Sequence, residues 1–278
     1  MLPEMTEAEF ALFVQYFTRK VGITIPEHKR AGFGRKVAGR MEGLGFSSYV
    51  SYYRFMKSQE GADELDFLVN HVTIDMSRFF RGERQLAHFG DSVVPELASK
   101  LRGTRKLRVW SAGCARGQEP YTVAMILAER AREVFTWDFK ILATDIDSDS
   151  LSAAAAGLYG PETAGEVPPE LLDRYFSRPR NAGNKPYRIR AILRNRVSFR
   201  KLNLLETPYP IRGPFSVILC RNVMIYFDTA TRKIIVSEFH RLLADGGFLL
   251  LGSTESLFGV DDRFILSGQA IYRKAPGR

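Results

Sequence analysis

The run Leu107-Arg108-Val109-Trp110 passes through Ser111-Ala112 into Gly113-Cys114-Ala115-Arg116-Gly117, and helical text follows from Glu119 to Val134. A short apolar strand, a glycine turn and a helix open a βα unit, and such units stack into a parallel sheet covered by helices. The alternation continues. Phe139 to Leu142 reads as a strand ending at Thr144-Asp145, and Ser148 to Ala156 as a helix stopped by Gly157. Phe215 to Cys220 is a third core strand, followed by a helix from about Thr229 to Leu243. Asp245-Gly246-Gly247 then turns into a strand from Phe248 to Leu251, and Phe264-Ile265-Leu266 with Ala270-Ile271-Tyr272 form a terminal hairpin on the sheet edge.

The first ~90 residues differ. Thr6-Glu7-Ala8-Glu9 has the spacing of a capping box, and Phe10, Phe13, Val14 and Phe17 follow on one helical face. Pro26 starts a second helical segment, Ser47-Ser48 caps a third, and Asp63 begins a fourth. Tyr187 to Arg190 and Arg196 to Arg200 alternate apolar with basic residues, which predicts a small sheet with one wet, positive face.

The formal charge of +9 is the one unusual feature of the composition, and it points to an anionic partner: nucleic acid, an anionic lipid surface or an acidic protein. Residues 19–57 concentrate it, with Arg19, Lys20, Lys29, Arg30, Arg35, Lys36, Arg40, Arg54 and Lys57 against Glu27 and Glu42. Such a run is also what a solvated face looks like. Cys114 and Cys220 lie far apart in apolar text and are expected as buried, reduced thiols; no His or Cys cluster has metal spacing. A start without a basic and apolar leader, and apolar runs too short for a bilayer, predict a cytoplasmic protein without direct membrane insertion.

In a doubly wound sheet, ligands bind at the carboxyl ends of strands where the strand order reverses. Gly113 and Gly117 remove side chains where a ligand must approach the backbone, although a plain βα turn shows the same glycines. The dinucleotide pattern G-x-G-x-x-G is absent, so a ligand without a pyrophosphate is expected. Asp145, at the end of the second strand, is placed to accept the hydroxyls of a ribose, whereas Asp147 is better placed to cap the next helix. Around Val72 to Arg81, Asp75 or Ser77 can cap a helix with Phe79 and Phe80 in the core. The polar residues of Leu219 to Asp228 follow a buried strand and belong at the crevice rim.

Thr73 to Arg81, Gly113-Cys114-Ala115-Arg116-Gly117-Gln118-Glu119-Pro120-Tyr121, Ala143-Thr144-Asp145-Ile146, Asn203-Leu204-Leu205 and Cys220-Arg221-Asn222-Val223-Met224-Ile225-Tyr226-Phe227 occur together and in order. They closely resemble the bacterial chemotaxis receptor glutamate O-methyltransferases, the CheR family, over nearly the whole chain. The resemblance implies a Rossmann-like class I methyltransferase domain over residues 91–278, an all-helical receptor-docking domain and linker over 1–90, and a small antiparallel β-subdomain inserted at about 178–200. It implies S-adenosylmethionine as cofactor and S-adenosylhomocysteine as product.

Carried over by residue, the resemblance implies that Asp75, Ser77 and Arg81 close over the cofactor from the linker. Gly113 shapes the turn, Glu119 holds the amino acid portion, Asp145 the ribose, and Asn203 with Leu204 the adenine edge. Arg221 and Asn222 line the floor, and Arg81 and Tyr226 face the substrate carboxylate. Asp75 and Ser77 stand where the family usually has Asn and Thr. The implied partner is the acidic helical bundle of a chemoreceptor and, as in some members, a receptor's C-terminal peptide on the β-subdomain. Nucleic acid is not expected, since basic residues here do not interleave with an aromatic platform. Two rivals remain in view: a non-catalytic regulator binding S-adenosylmethionine or a nucleotide, and an enzyme of the same fold acting on RNA or a small molecule.

Overall fold

The computed structural model describes residues 4–22, 24–72, 77–131, 136–178 and 186–275. Four helices begin the chain: α1 (Glu7–Val21), α2 (Arg30–Leu44), α3 (Tyr49–Met56) and α4 (Ala62–Val72). The expected capping box is made. The Thr6 amide donates to Glu9 Oε2 at 2.9 Å, and the Glu9 amide to Thr6 Oγ1 at 3.3 Å. Pro26 leads into a single 3-10 turn, Glu27–Lys29, that runs on into α2. At α3 only Ser48 stands at the cap position, and its side chain makes no capping bond.

Aromatic rings fill the core of this helical bundle. The ring of Phe33 is met edge-on by Phe10, Phe13 and Phe17 at centroid distances of 5.8, 5.8 and 5.9 Å, the geometry that ring quadrupoles favour. Beside them the Glu64 carboxylate is 7% exposed and accepts Arg40 Nη2 at 2.7 Å, Arg40 Nε at 2.9 Å and the Tyr52 hydroxyl at 2.8 Å. Arg40 also lies 4.0 Å over the Phe67 ring, so it is withdrawn from the basic face in which the sequence groups it. Arg19, Lys20, Arg35, Lys36, Arg54 and Lys57 stay exposed.

After the linker, α5 (Glu83–His88), a π turn at Phe89–Val93 and α6 (Val94–Leu101) lead to β1 (Lys106–Ala112). The expected alternation then appears as α7 (Gln118–Arg130), β2 (Asp138–Asp145) and α8 (Ser148–Ala156). The expected helix to Val134 ends at Arg130 among the described residues. Asp147 caps α8, accepting the amides of Asp149 and Ser150, both at 2.9 Å.

The crossover from β2 carries β3 (Leu158–Tyr159), α9 (Pro161–Ala164), α10 (Pro169–Tyr175), β4 (Phe176–Ser177), β5 (Tyr187–Ile189) and α11 (Ala191–Arg194) before β6 (Val197–Lys201). Then come β7 (Phe215–Cys220), α12 (Thr229–Leu242), β8 (Leu243–Leu251), β9 (Phe264–Gly268) and β10 (Ile271–Lys274).

The main sheet has the order β6-β2-β1-β7-β8-β10-β9. Its first five strands are parallel, and β10 runs antiparallel to β8 and β9 as the terminal hairpin. Side chains alternate between two cores, Val109, Val217 and Leu219 facing one, and Trp110, Ile218 and Cys220 the other. Trp110 is fully buried, and its indole N–H donates to Thr144 Oγ1 at 2.9 Å.

The small antiparallel sheet exists, in the order β3-β5-β4, but its strands differ from those expected. Arg196 to Arg200 does not join it. As β6, it pairs in parallel with β2 at the edge of the main sheet, with Val197 buried and Arg200 exposed. An edge strand with one wet face shows the same apolar–basic alternation, which is why the pattern misleads. The turn at Asp245–Gly247 also falls inside β8, as an irregularity between the pairs Phe215–Leu243 and Val217–Phe248.

Removing the buried acid should cost the helical bundle most. Glu64→Ala strands the Tyr52 hydroxyl and the Arg40 guanidinium, so we expect a loss of about 2–3 kcal/mol in urea unfolding, below the figure for a fully buried pair because Arg40 is part exposed. Hydrogen bonding to Arg40 holds this carboxyl below its usual range, so its contribution is present at neutral pH and fades as pH falls through that depressed value. An unchanged urea midpoint contradicts this assignment.

Candidate functional site

Strand order reverses between β1 and β7: from β1 the chain continues to β2 on one side, while β7 pairs on the other. The crevice beyond their carboxyl ends is the ligand position of a doubly wound sheet. Two segments meet there. The turn after β1 contains Gly113 at φ 79, and a Cβ at this position would lie 2.4 Å from Val223 Cγ2. Glycine is therefore required by both the backbone conformation and the close approach of the loop after β7. The amides of Gly113 and Cys114 both donate to the Thr144 carbonyl, at 2.8 and 3.0 Å, which ties the turn to the end of β2.

Arg221, the first residue past β7, is the hub. Its side chain is 7% exposed; Nη1 donates to Glu119 Oε2 at 3.3 Å and Nη2 to the Arg81 carbonyl at 2.5 Å. Glu119 sits in the first turn of α7, 13% exposed, and also accepts the Ser111 hydroxyl at 2.7 Å. Burial drives its pKa above the ordinary carboxylate value, and the Arg221 guanidinium works against that rise. One guanidinium thus joins the linker, the helix after the glycine turn and the loop after β7.

Asp145 ends β2. Its Oδ2 accepts the Ala115 amide at 2.7 Å and its Oδ1 the Asp147 amide at 3.0 Å, while burial raises its pKa. Each carboxylate oxygen has a second lone pair, so these bonds leave capacity for ribose hydroxyls. Burial, with the negative charges of Glu255, Glu119 and Asp145, pushes the Cys220 thiol upward. Among the described residues, three that border the crevice without being glycine have left-handed backbones: Phe80 at φ 53, Ala115 at φ 44 and Asn222 at φ 60. Strain of this kind persists where surrounding contacts hold it and concentrates at ligand sites.

The remaining candidates are spread around this centre. Ser77 is half-buried at the start of the linker, and Asp75 lies outside the described residues. Arg81 is half-buried, its carbonyl engaged by Arg221. Asn203 turns its side chain toward the helical domain: Nδ2 donates to the Lys20 carbonyl at 3.1 Å and to Glu206 at 3.2 Å, and Oδ1 accepts the Leu205 amide at 3.0 Å. Leu204 is buried beside it. Tyr226 is 36% exposed, on the short 3-10 turn Met224–Tyr226. Glu255 went unnoticed in the sequence; it is a lone acid in a polar turn, without a periodic or spacing signal.

These residues fit the cofactor implied by the resemblance. S-adenosylmethionine brings an ammonium, a sulfonium and a ribose but no phosphate, and the crevice offers buried carboxylates. Arg221 Nε is buried and has no hydrogen-bond partner among the described residues, leaving a donor for a ligand acceptor such as a carboxylate. Among the described residues no group of three His, Cys, Asp or Glu side chains has metal-binding geometry.

Known proteins resemble this chain over most of its length. A family model described as "CheR methyltransferase, SAM binding domain" matches residues 75–273, and one described as "CheR methyltransferase, all-alpha domain" matches residues 8–73. The chemotaxis protein methyltransferase of Escherichia coli (strain K12) is 35% identical over 269 residues, covering 96% of this chain and 91% of the relative. The Salmonella typhimurium protein of the same name is 33% identical, covering 96% and 90% respectively. Chemotaxis protein methyltransferase 1 of Pseudomonas aeruginosa is 32% identical, covering 92% and 93%.

The contact between the glycine turn and Val223 yields a direct test. Gly113→Ala combines a disfavoured backbone with steric overlap, so we expect calorimetric affinity for S-adenosylhomocysteine to fall about tenfold or more. Wild-type affinity in a folded Gly113→Ala variant contradicts the placement of the cofactor at this turn.

Proposed function

Because the chain belongs to the CheR family of chemotaxis methyltransferases, and is an S-adenosylmethionine-dependent enzyme of that family, we propose that it esterifies glutamate side chains of chemoreceptors. The observation that carries this is the buried Arg221–Glu119 pair, which draws the glycine turn, the Arg81 linker and the Arg221–Phe227 loop around one crevice. We take residues 1–90 as the docking domain with its linker and 91–278 as the catalytic domain.

Bound S-adenosylmethionine supplies an electrophilic methyl group on a sulfonium whose sulfur leaves with the bonding pair. The acceptor needs little activation. A glutamate with a pKa near ~4.3 is already ionised at neutral pH, so no strong general base is required. The residues of this chain act by alignment and exclusion of water, for which positioning supplies roughly 7–11 kcal/mol in favourable cases. Glu119 and Asp145 hold the amino acid portion and the ribose, with Asp75, Ser77, Asn203, Leu204, Arg221 and Asn222 completing the cofactor site. Arg81 orients the substrate carboxylate through its planar fork, and Tyr226 shares that task so that the attacking oxygen is not quenched.

The partner is an acidic helical surface in the receptor's cytoplasmic region. Exposed Arg19, Lys20, Arg35, Lys36, Arg54 and Lys57 on the helical domain support this docking. The β3-β5-β4 sheet is the candidate seat for a receptor's C-terminal peptide, added as a strand. No helix among the described residues is long and apolar enough to cross a membrane, and we place the enzyme in the cytoplasm, where those receptor regions lie.

Labelled methyl transfer to receptor-containing membranes, followed by release of the label as methanol in mild base, tests the reaction itself. Base-labile label supports carboxyl esterification; base-stable label or none contradicts it. Arg81→Ala keeps the carbonyl that Arg221 holds, so we expect turnover to drop about 100-fold while cofactor affinity stays within about threefold. Wild-type turnover in this variant removes Arg81 from the catalytic role.

A further inference from the structure

The turn Gly252-Ser253-Thr254-Glu255-Ser256-Leu257 follows β8 and takes no part in the assignments above. Glu255 is 7% exposed, and its Oε2 accepts two main-chain amides, that of Asn222 at 2.9 Å and that of Gly252 at 2.5 Å. A carboxylate bonded to amides is a charge-assisted anchor, stronger than a neutral contact. The approach is close. A Cβ on Gly252 would lie 2.6 Å from Glu255 Oε2 and 2.9 Å from the Asn222 amide nitrogen, so only glycine fits between them.

Glu255 holds Asn222 at φ 60, in the left-handed region that residues other than glycine keep only when neighbours constrain them. That backbone turn sets the direction in which the chain leaves Arg221 toward Met224–Tyr226. Arg221 does not depend on it in the same way, because Glu119 and the Arg81 carbonyl anchor its guanidinium separately. The other carboxylate oxygen of Glu255, Oε1, is buried without a hydrogen-bond partner among the described residues, so the two amide bonds rest on Oε2 alone.

We propose that Glu255 is a positioning residue for methyl transfer: it clamps the Asn222 amide to the end of β8 and thereby fixes the turn that presents Tyr226 to the substrate. This rests on the assignment of the chain as a receptor glutamate methyltransferase. Glu255 touches neither cofactor nor substrate in this role; it acts through the Asn222 backbone. The position of its acceptor oxygen sets the turn, and the negative charge strengthens the two amide bonds that hold it.

The test compares full-length wild type, E255Q, E255D and E255A for thermal stability, S-adenosylhomocysteine affinity by calorimetry, and kcat and KM on receptor membranes. A glutamine oxygen can accept the same two amides, so E255Q is expected to keep kcat within about threefold of wild type. E255D withdraws the acceptor by one carbon and E255A removes it. Both should lose about 30-fold or more in kcat per folded molecule and, because Asn222 also belongs to the cofactor site, a smaller factor, below about tenfold, in cofactor affinity.

E255A and E255D with wild-type kcat overturn the proposal, as does a kcat loss that only tracks the lost folded fraction. If E255A proves insoluble, the contrast of E255Q with E255D decides, and an E255Q as weak as E255D overturns the proposal. A wild type that binds S-adenosylhomocysteine but methylates no receptor overturns the substrate assignment and this role with it. An active wild type matched by E255D overturns this role alone.

Discussion

The Arg221–Glu119 pair is the contact on which the crevice depends. Both groups are almost withdrawn from water, and a buried ion pair is expensive unless further hydrogen bonds complete it. Here they do so on several sides: the Arg81 carbonyl takes one guanidinium nitrogen, and the Ser111 hydroxyl caps the other Glu119 oxygen. Removing either partner leaves a buried charge, a loss on the order of 3–5 kcal/mol in comparable pairs. The pair thus does more than bind a ligand. It fixes the linker, the start of α7 and the loop after β7 relative to one another before any ligand arrives, and such preorganisation is what positioning catalysis requires.

The helical domain is joined to the rim of the same crevice. Lys201 pairs with Asp66, the Lys20 carbonyl accepts from Asn203, and Ile146, next to Asp145, packs on the helical core. Asn203 therefore spans two duties. Its side chain binds the end of α1, while its main chain precedes the buried Leu204 that is expected at the adenine edge. These contacts tie the helical domain, with its exposed basic residues, to the crevice.

Much of this was legible in the sequence wherever one physical rule governed a segment. Phe215 to Cys220 is apolar apart from the buried Ser216 because both faces are covered, and the helix Ser148–Ala156 is bounded by an Asp cap and a left-handed glycine. Gly113 reads in the sequence as room for a ligand against the backbone, whereas the structure places the Val223 side chain there. Legibility failed where two structures share one pattern. Arg196 to Arg200 alternates like a strand of a small wet sheet, yet it closes the edge of the main one. Strands of two or three residues, such as Leu158–Tyr159 and Phe176–Ser177, are too short to show any period. The pairing of Arg221 with Glu119 spans 102 positions and leaves no local trace, and neither does the reach of Glu255 to Asn222.

A double-mutant cycle tests most directly whether the Arg221–Glu119 pair organises the cofactor site. S-adenosylhomocysteine affinity would be measured calorimetrically for wild type, Arg221→Met, Glu119→Gln and the double variant. If the two residues act as one unit, the double variant loses no more affinity than the weaker single variant, a clear departure from additivity. Losses that add independently would contradict the account, because Arg221 and Glu119 would then be separate contacts to the ligand.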